Sequence, residues 1–300
     1  MIGIFINVII PVIIIFLMGF LLGKFFKLDQ KSFSTVSIYI FTPCLVFISL
    51  IEANGLFEFT TFKVFISTLI LLVITWLSVE ILSRIFKLSK NIKTILILTL
   101  VLPNTGNYGM SVIEYAYGKG ALSFASILLI IYIFYTNTFG VYIASRDKYD
   151  YKIAFKNILK VPVFYAMILA ILLSLFKITL PQPIIMPVKA IGYSAIPVNL
   201  LLVGINLARV KLDKNILFVF GISIVKLVVI PTIGFVILKI FGVSDIMFKV
   251  SILQIAMPSA VYSSILATHF GANEKLASEI VLVSLIMSML SLTGIIYLLG

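Results

Sequence analysis

The chain has 300 residues, of which 62% are hydrophobic and 11% are charged, and its formal net charge is +12. Soluble globular proteins have roughly 45–50% apolar and about 25% charged residues. The composition therefore excludes a soluble globular protein, because too few polar groups remain to cover its surface in water.

Apolar runs of about twenty residues follow one another along the chain, with short polar connections between them. A helix rises about 1.5 Å per residue, so about 20 residues span the hydrocarbon core of a bilayer. We therefore predict an all-α integral membrane protein with ten transmembrane helices, called runs 1 to 10. Their predicted ranges are 3–23, 32–52, 63–83, 94–116, 121–144, 159–176, 185–207, 215–238, 249–268 and 278–299.

Lysine and arginine residues concentrate in alternate connections. Arg84, Lys87, Lys90 and Lys93 lie between runs 3 and 4, whereas only Lys119 lies between runs 4 and 5. Basic connections stay in the cytoplasm. This alternation explains the positive charge without nucleic-acid binding. It predicts a multi-pass protein of a prokaryotic cytoplasmic membrane with both termini outside the cytoplasm.

The chain has one cysteine, Cys44, and one histidine, His269. It therefore cannot form an intramolecular disulfide, and it offers no Cys/His cluster for a metal. It also contains no phosphate-binding GxxxxGK[ST] sequence and none of the common hydrolase or dinucleotide motifs. We accordingly expect no cofactor, no metal and no enzymatic activity.

The two halves of the chain resemble each other. Each half contains five runs, an odd number, so the second half enters the membrane from the opposite side, as in the inverted repeats of many secondary transporters. We predict a first repeat over 1–145, a cytoplasmic connector over 146–158 and a second repeat over 159–300. The matching positions, 153 to 155 residues apart, are Pro43 and Pro197, Pro103 and Pro258, and Gly118 and Gly271.

Run 4 contains a cluster of residues that disfavour a continuous helix, namely Pro103, Asn104, Thr105, Gly106 and Asn107. Proline removes a backbone donor, and glycine costs about 1 kcal/mol relative to alanine inside a helix. Unwound backbone persists at membrane depth only where protein or a wet cavity satisfies its polar groups. We therefore predict a break and a substrate site here, with a packing kink as the alternative.

Run 9 carries Gln254, Pro258, Ser259 and Tyr262 at the equivalent position of the second repeat. It has no glycine there, so we expect a milder break than in run 4. If both runs break and cross, the amino-terminal ends of two half-helices face a common centre that attracts an anion. These four residues join the predicted substrate site, again with a packing kink as the alternative.

Four further intramembrane residues extend the predicted site: Thr42 and Pro43 in run 2, Asn137 in run 5 and Asn199 in run 7. The alternatives are a packing kink for Thr42, Pro43 and Asn199 and a hydrogen bond to a neighbouring helix for Asn137. Lys226 lies inside run 8, where a lysine is costly. As a functional residue, Lys226 attracts the anion or takes part in coupling. As a structural residue, it extends to the membrane surface or pairs with an acidic group.

Two segments resemble the signature sequences of the auxin efflux carrier family. They are LPNTGNYGMSVIEYAYGKGAL, in run 4 and the connection after it, and IAMPSAVYSSILATHFGANEKLASEIVLVSLIMSMLSL, in runs 9 and 10. FTPCLVF and PVNLLLVGINL also fit this family, which includes plant PIN carriers and bacterial malonate-type and other organic-acid permeases. The short connection between the two halves is similar to that of bacterial and archaeal members.

The resemblance implies two inverted five-helix repeats with crossed helices at runs 4 and 9, as in bile-acid symporters and NhaA-type exchangers. It further implies carriage of small organic anions by alternating access, a homodimer, and a substrate site at Pro103, Asn104, Asn107 and Pro258. Two other functions stay open. One is a sodium-coupled symporter of the bile-acid type, although neither broken segment contains a carboxylate for a sodium or proton site. The other is a membrane receptor or binding module without translocation.

Overall fold

The computed structural model describes residues 1–52, 59–140, 162–208, 210, 212, 216–269 and 272–300. Within these ranges the chain is helical, and seven helices are long and apolar enough to cross a membrane. The predicted all-α architecture with membrane-length helices is therefore confirmed. The predicted connector over 146–158 lies outside the described residues.

We number the helical segments of the described chain α1 to α12. Segments α4 and α5 both belong to run 4, and α10 and α11 both belong to run 9. The bounds are Ile2–Phe25 (α1), Ser32–Ile51 (α2), Phe59–Ile85 (α3), Lys90–Val101 (α4), Met110–Tyr117 (α5), Lys119–Gly140 (α6), Pro162–Leu175 (α7), Gln182–Leu207 (α8), Ile216–Ile240 (α9), Asp245–Ile255 (α10), Val261–His269 (α11) and Glu274–Leu299 (α12).

Three of these helices contain one wide (π) turn that ends two residues before a proline. A proline lacks the N–H that bonds to the carbonyl four residues earlier, and its ring clashes with that carbonyl. A wide turn relieves this conflict, so the helix continues instead of breaking. The wide turns are Phe5–Ile9, Ser37–Phe41 and Val225–Val229, and the prolines that follow them are Pro11, Pro43 and Pro231.

Helices α1, α2, α7 and α8 pack against one another, and we call them the first group. Helices α1 and α8 approach backbone to backbone at two glycines. A β-carbon on Gly204 would lie 2.2 Å from the carbonyl oxygen of Phe16, and one on Gly19 would lie 2.2 Å from that of Leu201. Small residues at such contacts allow the close packing that holds helices together in lipid.

The other segments, α3 to α6 and α9 to α12, form the second group. Helix α9 packs against α3, helix α12 packs against both α9 and α11, and α3 packs against α4. The two groups meet where α8 contacts Thr105–Gly109, the wide turn that leads into α5, and where α2 contacts α6. The break in run 4 therefore lies next to the boundary between the groups.

Gly204→Ala should destabilise the protein by about 1–3 kcal/mol, the usual cost of overpacking, because the new β-carbon would meet a backbone oxygen. The measurement is thermal unfolding of the purified protein in detergent, followed by the fluorescence of Trp76, the one tryptophan. Gly294→Ala is the control, since a β-carbon there meets nothing within 4 Å. Equal unfolding temperatures for Gly204→Ala and the wild type would contradict the close α1–α8 contact.

Candidate functional site

Two breaks interrupt the helices of the second group. The break in run 4 covers residues 102–104, between α4 and the wide turn Thr105–Gly109. The break in run 9 covers residues 256–260, between α10 and α11. Run 9 therefore breaks over five residues although it has no glycine there, and run 4 is irregular over 102–109 when its wide turn is included. Glycine is not required here, because Pro258 removes a backbone donor and the released backbone groups find other partners.

The two breaks lie against each other and exchange backbone hydrogen bonds. The N–H of Asn104 donates to the carbonyl of Pro258 (2.8 Å), and the N–H of Ala260 donates to the carbonyl of Leu102 (2.9 Å). Together these bonds form a single antiparallel bridge. Lipid offers no partner to an unwound backbone, so each break supplies what the other needs.

Side chains from the second half of the chain bind the carboxyl-terminal end of α4. A helix leaves its last carbonyls without partners from its own ladder. One donor here comes from α9, one from the break in run 9 and one from α11. The bonds are Lys226 Nζ to the Leu100 carbonyl (2.9 Å), Ser259 Oγ to the Thr99 carbonyl (2.7 Å) and Ser263 Oγ to the Leu98 carbonyl (3.1 Å).

Lys226 is buried, with 1% of its surface exposed. Its ammonium group therefore does not reach the membrane surface. With Thr68, Thr75 and Tyr132 it lines a cavity of about 10 Å³, about the size of one water molecule, and no carboxylate lines this cavity. The ammonium lies at the carboxyl-terminal end of α4, where the helix dipole favours a positive charge.

The amino-terminal ends of the two segments after the breaks keep free backbone donors. The N–H groups of Gly106 and Asn107 have no acceptor among the described residues, and the same holds for Val261 and Tyr262 at the start of α11. Free N–H groups and the positive end of a helix dipole attract an anion. The two ends offer this chemistry on either side of one backbone bridge.

Two buried amide side chains beside the breaks each have an unpaired atom. Asn104 is 5% exposed and Gln254 is fully buried, yet Asn104 Nδ2 and Gln254 Oε1 have no hydrogen-bond partner among the described residues. Gln254 Nε2 donates to the carbonyl of Thr105 (3.4 Å). A buried polar group without a partner costs about 1–3 kcal/mol. A bound molecule that supplies the missing partners would remove this cost.

The structure brings most of the predicted site residues together at the breaks. Tyr262 is also there, at the first turn of α11, but 39% of its surface is exposed. Asn107 is half-buried in the wide turn before α5. The predicted residues within or next to the breaks are Pro103, Asn104, Thr105, Gly106, Asn107, Gln254, Pro258 and Ser259.

Four other predicted residues lie on helices α2, α6 and α8, outside the two breaks. Thr42 and Pro43 follow the wide turn of α2, in the first group. Asn199 is buried in α8, and its Oδ1 accepts a hydrogen bond from Ser37 Oγ of α2. Asn199 therefore joins two helices of the first group. The side chain of Asn137 lies outside the described residues.

Two serines of α12 that were not predicted from the sequence support the breaks. Ser284 Oγ accepts a hydrogen bond from the backbone N–H of Ser259 (3.2 Å), and Ser288 Oγ donates to the hydroxyl of Tyr108 (3.2 Å). Residues four positions apart lie on one face of a helix, so both serines face the breaks. Their spacing was visible in the sequence, but nothing there indicated which element this face contacts.

A polar cluster joins the two groups at the end of α2. The Glu52 carboxylate pairs with Lys189 Nζ (2.6 Å) and accepts a hydrogen bond from the Tyr193 hydroxyl (2.5 Å). Partial burial raises the pKa of Glu52, but the hydrogen bonds from Lys189 and Tyr193 outweigh burial, so the pKa is lowered overall. Lys119 Nζ of the second group lies 4.1 Å from the ring centroid of Tyr193 in the first group.

The sequence was compared with known proteins. The profile of a family described as membrane transport protein matches residues 4–296. An uncharacterized transporter of Methanocaldococcus jannaschii is 25% identical over 296 residues, which is 95% of each chain. Both matches include the two breaks and Lys226.

Ser259→Ala should lower the free energy of unfolding by about 1–3 kcal/mol, because the buried carbonyl of Thr99 loses its donor. The measurement is again thermal unfolding in detergent. Ser251→Ala is the matched control, since Ser251 is equally buried but its hydroxyl bonds to the Met247 carbonyl of its own helix. We expect a clearly smaller loss for the control. Equal losses would show that the bond between Ser259 and α4 contributes nothing specific.

Proposed function

The chain belongs to the membrane transport protein family, that of the auxin efflux carriers, and on this premise we propose that it is a secondary transporter of small organic anions. Its substrates are carboxylates, and it moves them across the cytoplasmic membrane by alternating access. One observation carries the proposal. Two helix breaks lie against each other in the membrane, and free backbone N–H groups follow each break.

The substrate carboxylate binds between the amino-terminal ends of the two segments that follow the breaks. The free N–H groups of Gly106 and Asn107 and those of Val261 and Tyr262 supply donors from two sides. Interrupted helices in other secondary transporters bind anionic substrate groups in this way. The unpaired amide nitrogen of Asn104 adds a side-chain donor that orients the carboxylate.

Lys226, when protonated, places a positive charge behind the site. Its ammonium binds the Leu100 carbonyl, two residues before the break in run 4. In a low-dielectric interior this charge strengthens the attraction for an anion. The same contact counts against the sodium-coupled alternative. In other transporters the carbonyls at the ends of half-helices coordinate sodium, whereas here the Leu100 carbonyl at such an end binds the amino group of Lys226.

The packing of the helices supports two inverted five-helix repeats. Helices α1 and α2 from the first half join α7 and α8 from the second half, and the other three runs of each half form the second group. Each half is therefore divided in the same way, two runs to one group and three to the other. We infer ten crossings, crossed helices at the breaks, repeats over 1–145 and 159–300, and both termini outside the cytoplasm.

Alternating access follows from movement of the second group against the first. The wide turn Thr105–Gly109 contacts α8, so the site lies at the boundary that such a movement would open. The contact between Lys119 and Tyr193 also crosses this boundary and must break when the groups slide apart. The homodimer and the nature of the coupling ion stay predictions.

Asn104→Ala should reduce carboxylate flux by at least about tenfold, since it removes a side-chain donor from a buried anion site, whereas Asn107→Ala keeps its backbone N–H and should reduce flux less. The measurement is tracer uptake by purified protein in liposomes, with a panel of organic acids, with and without sodium. Thermal unfolding checks that both variants fold. Undiminished flux in both variants would refute the site. Uptake that requires sodium would favour the symporter, and binding without flux would favour the receptor.

Lys226→Met should raise the KM for the carboxylate by about tenfold or more, because the site loses the positive charge of the protonated lysine. Lys239→Met is the matched control. It removes the same charge from an exposed position on the same helix, so its KM should equal that of the wild type. The proposed role of Lys226 fails if both variants transport with the wild-type KM.

A further inference from the structure

We propose that the transported carboxylate carries a hydroxyl group beside its carboxyl group, and that Gln254 Oε1 accepts the hydrogen bond of this hydroxyl. This inference rests on the proposed function and names the substrate class of the same site. It starts from the amide group of Gln254, which is fully buried next to the break in run 9.

The orientation of the Gln254 amide follows from its neighbour. Its Nε2 donates to the carbonyl oxygen of Thr105 (3.4 Å), and a carbonyl oxygen can only accept a hydrogen bond. The opposite orientation would place two acceptor oxygens against each other. Oε1 is therefore an acceptor in this position, and it has no partner among the described residues.

Oε1 lies against the helical turn that also presents the free donors. A β-carbon on Gly109 would lie 2.5 Å from this oxygen, so Gln254 Oε1 can occupy its position only because residue 109 is glycine. Gly109 is the last residue of the wide turn Thr105–Gly109. One turn of backbone thus holds free N–H groups at its start and an unpaired acceptor beside its end.

A plain carboxylate does not match this combination of groups. Its oxygens suit the N–H groups of Gly106 and Asn107 and the amide nitrogen of Asn104, all of which donate. Against Gln254 Oε1, however, a carboxylate oxygen would face another acceptor. A hydroxyl hydrogen on the neighbouring carbon supplies the missing donor, so a 2-hydroxy acid satisfies both kinds of group.

An ammonium group is a poorer match than a hydroxyl. It carries three donors and a positive charge that a buried site must balance. Neither broken segment contains a carboxylate, and the side chain that binds the Leu100 carbonyl, just before the break in run 4, is the basic Lys226. A 2-hydroxy acid is therefore favoured over an amino acid.

The test compares substrates that differ by one hydroxyl group in uptake by the purified protein in liposomes. The pairs are lactate with propionate and malate with succinate. A site that hydrogen-bonds a hydroxyl strongly rejects the analogue without it, so we expect a kcat/KM ratio of at least about ten for one pair in the wild type. Gln254→Met, similar in size but without the acceptor, should bring this ratio close to one.

The ratio does not depend on how much protein is active, so a modest loss of folded protein leaves the test valid. If Gln254→Met does not fold, Gly109→Ala replaces it, because its β-carbon displaces Oε1 while the glutamine remains. Ser251→Ala, one turn earlier on α10, is the control and should keep the wild-type ratio.

The contrary outcomes are distinct from one another. Flux of carboxylates without a preference for the hydroxylated member would overturn this inference and leave the proposed function standing. An unchanged ratio in Gln254→Met, with loss of a sodium requirement, would identify Oε1 as a cation ligand instead. No flux of any carboxylate would overturn the proposed function, and this inference with it.

Discussion

A backbone group in the hydrocarbon core has no water to bond, so an interrupted membrane helix must find every partner inside the protein. In this chain each of two interruptions meets that demand through the other. The bond from Asn104 to Pro258 and the bond from Ala260 to Leu102 join the first half of the chain to the second. Neither break can therefore be satisfied in this way without the other half.

This backbone pairing also decides how charge is arranged in the membrane. The carboxyl-terminal end of α4 turns toward the second half, where Lys226 and two serines bind its carbonyls. The amino-terminal ends after the breaks are left with free N–H groups. Both features make the region electropositive. Lys226 offsets the negative end of the α4 dipole, and the positive ends of the two segments after the breaks have no negative partner among the described residues. The proposed carboxylate substrate is compatible with such a region.

The two helix groups give this region its place in the molecule. Close glycine contacts between α1 and α8 hold the first group together. The turn that bears the free donors belongs to the second group and contacts α8 of the first. A site at the boundary of two packed bodies is exposed when one body moves against the other. Membership in a transporter family agrees with this arrangement.

The sequence by itself determined the membrane-length helices, the family and the position of the break in run 4. The helices depend on composition, the family on sequence motifs and the break on local helix propensity. Pro103 with its neighbouring Asn104 and Gly106 disfavours a helix whatever surrounds it. The break in run 9 was less evident from the sequence for the same reason. The segment has no glycine to disfavour a helix locally. The groups that bond its unwound backbone, Ser284 Oγ and the carbonyl of Leu102, lie far away in the chain.

Only the tertiary structure decided which polar residues meet. Asn199 seemed equivalent to the site residues in the sequence, yet it bonds Ser37 within the first group. The sequence left several roles open for Lys226, and only the structure shows that its amino group binds the Leu100 carbonyl. Hydrogen bonds between distant segments depend on packing and on the direction in which each side chain points, and a single sequence does not carry that information.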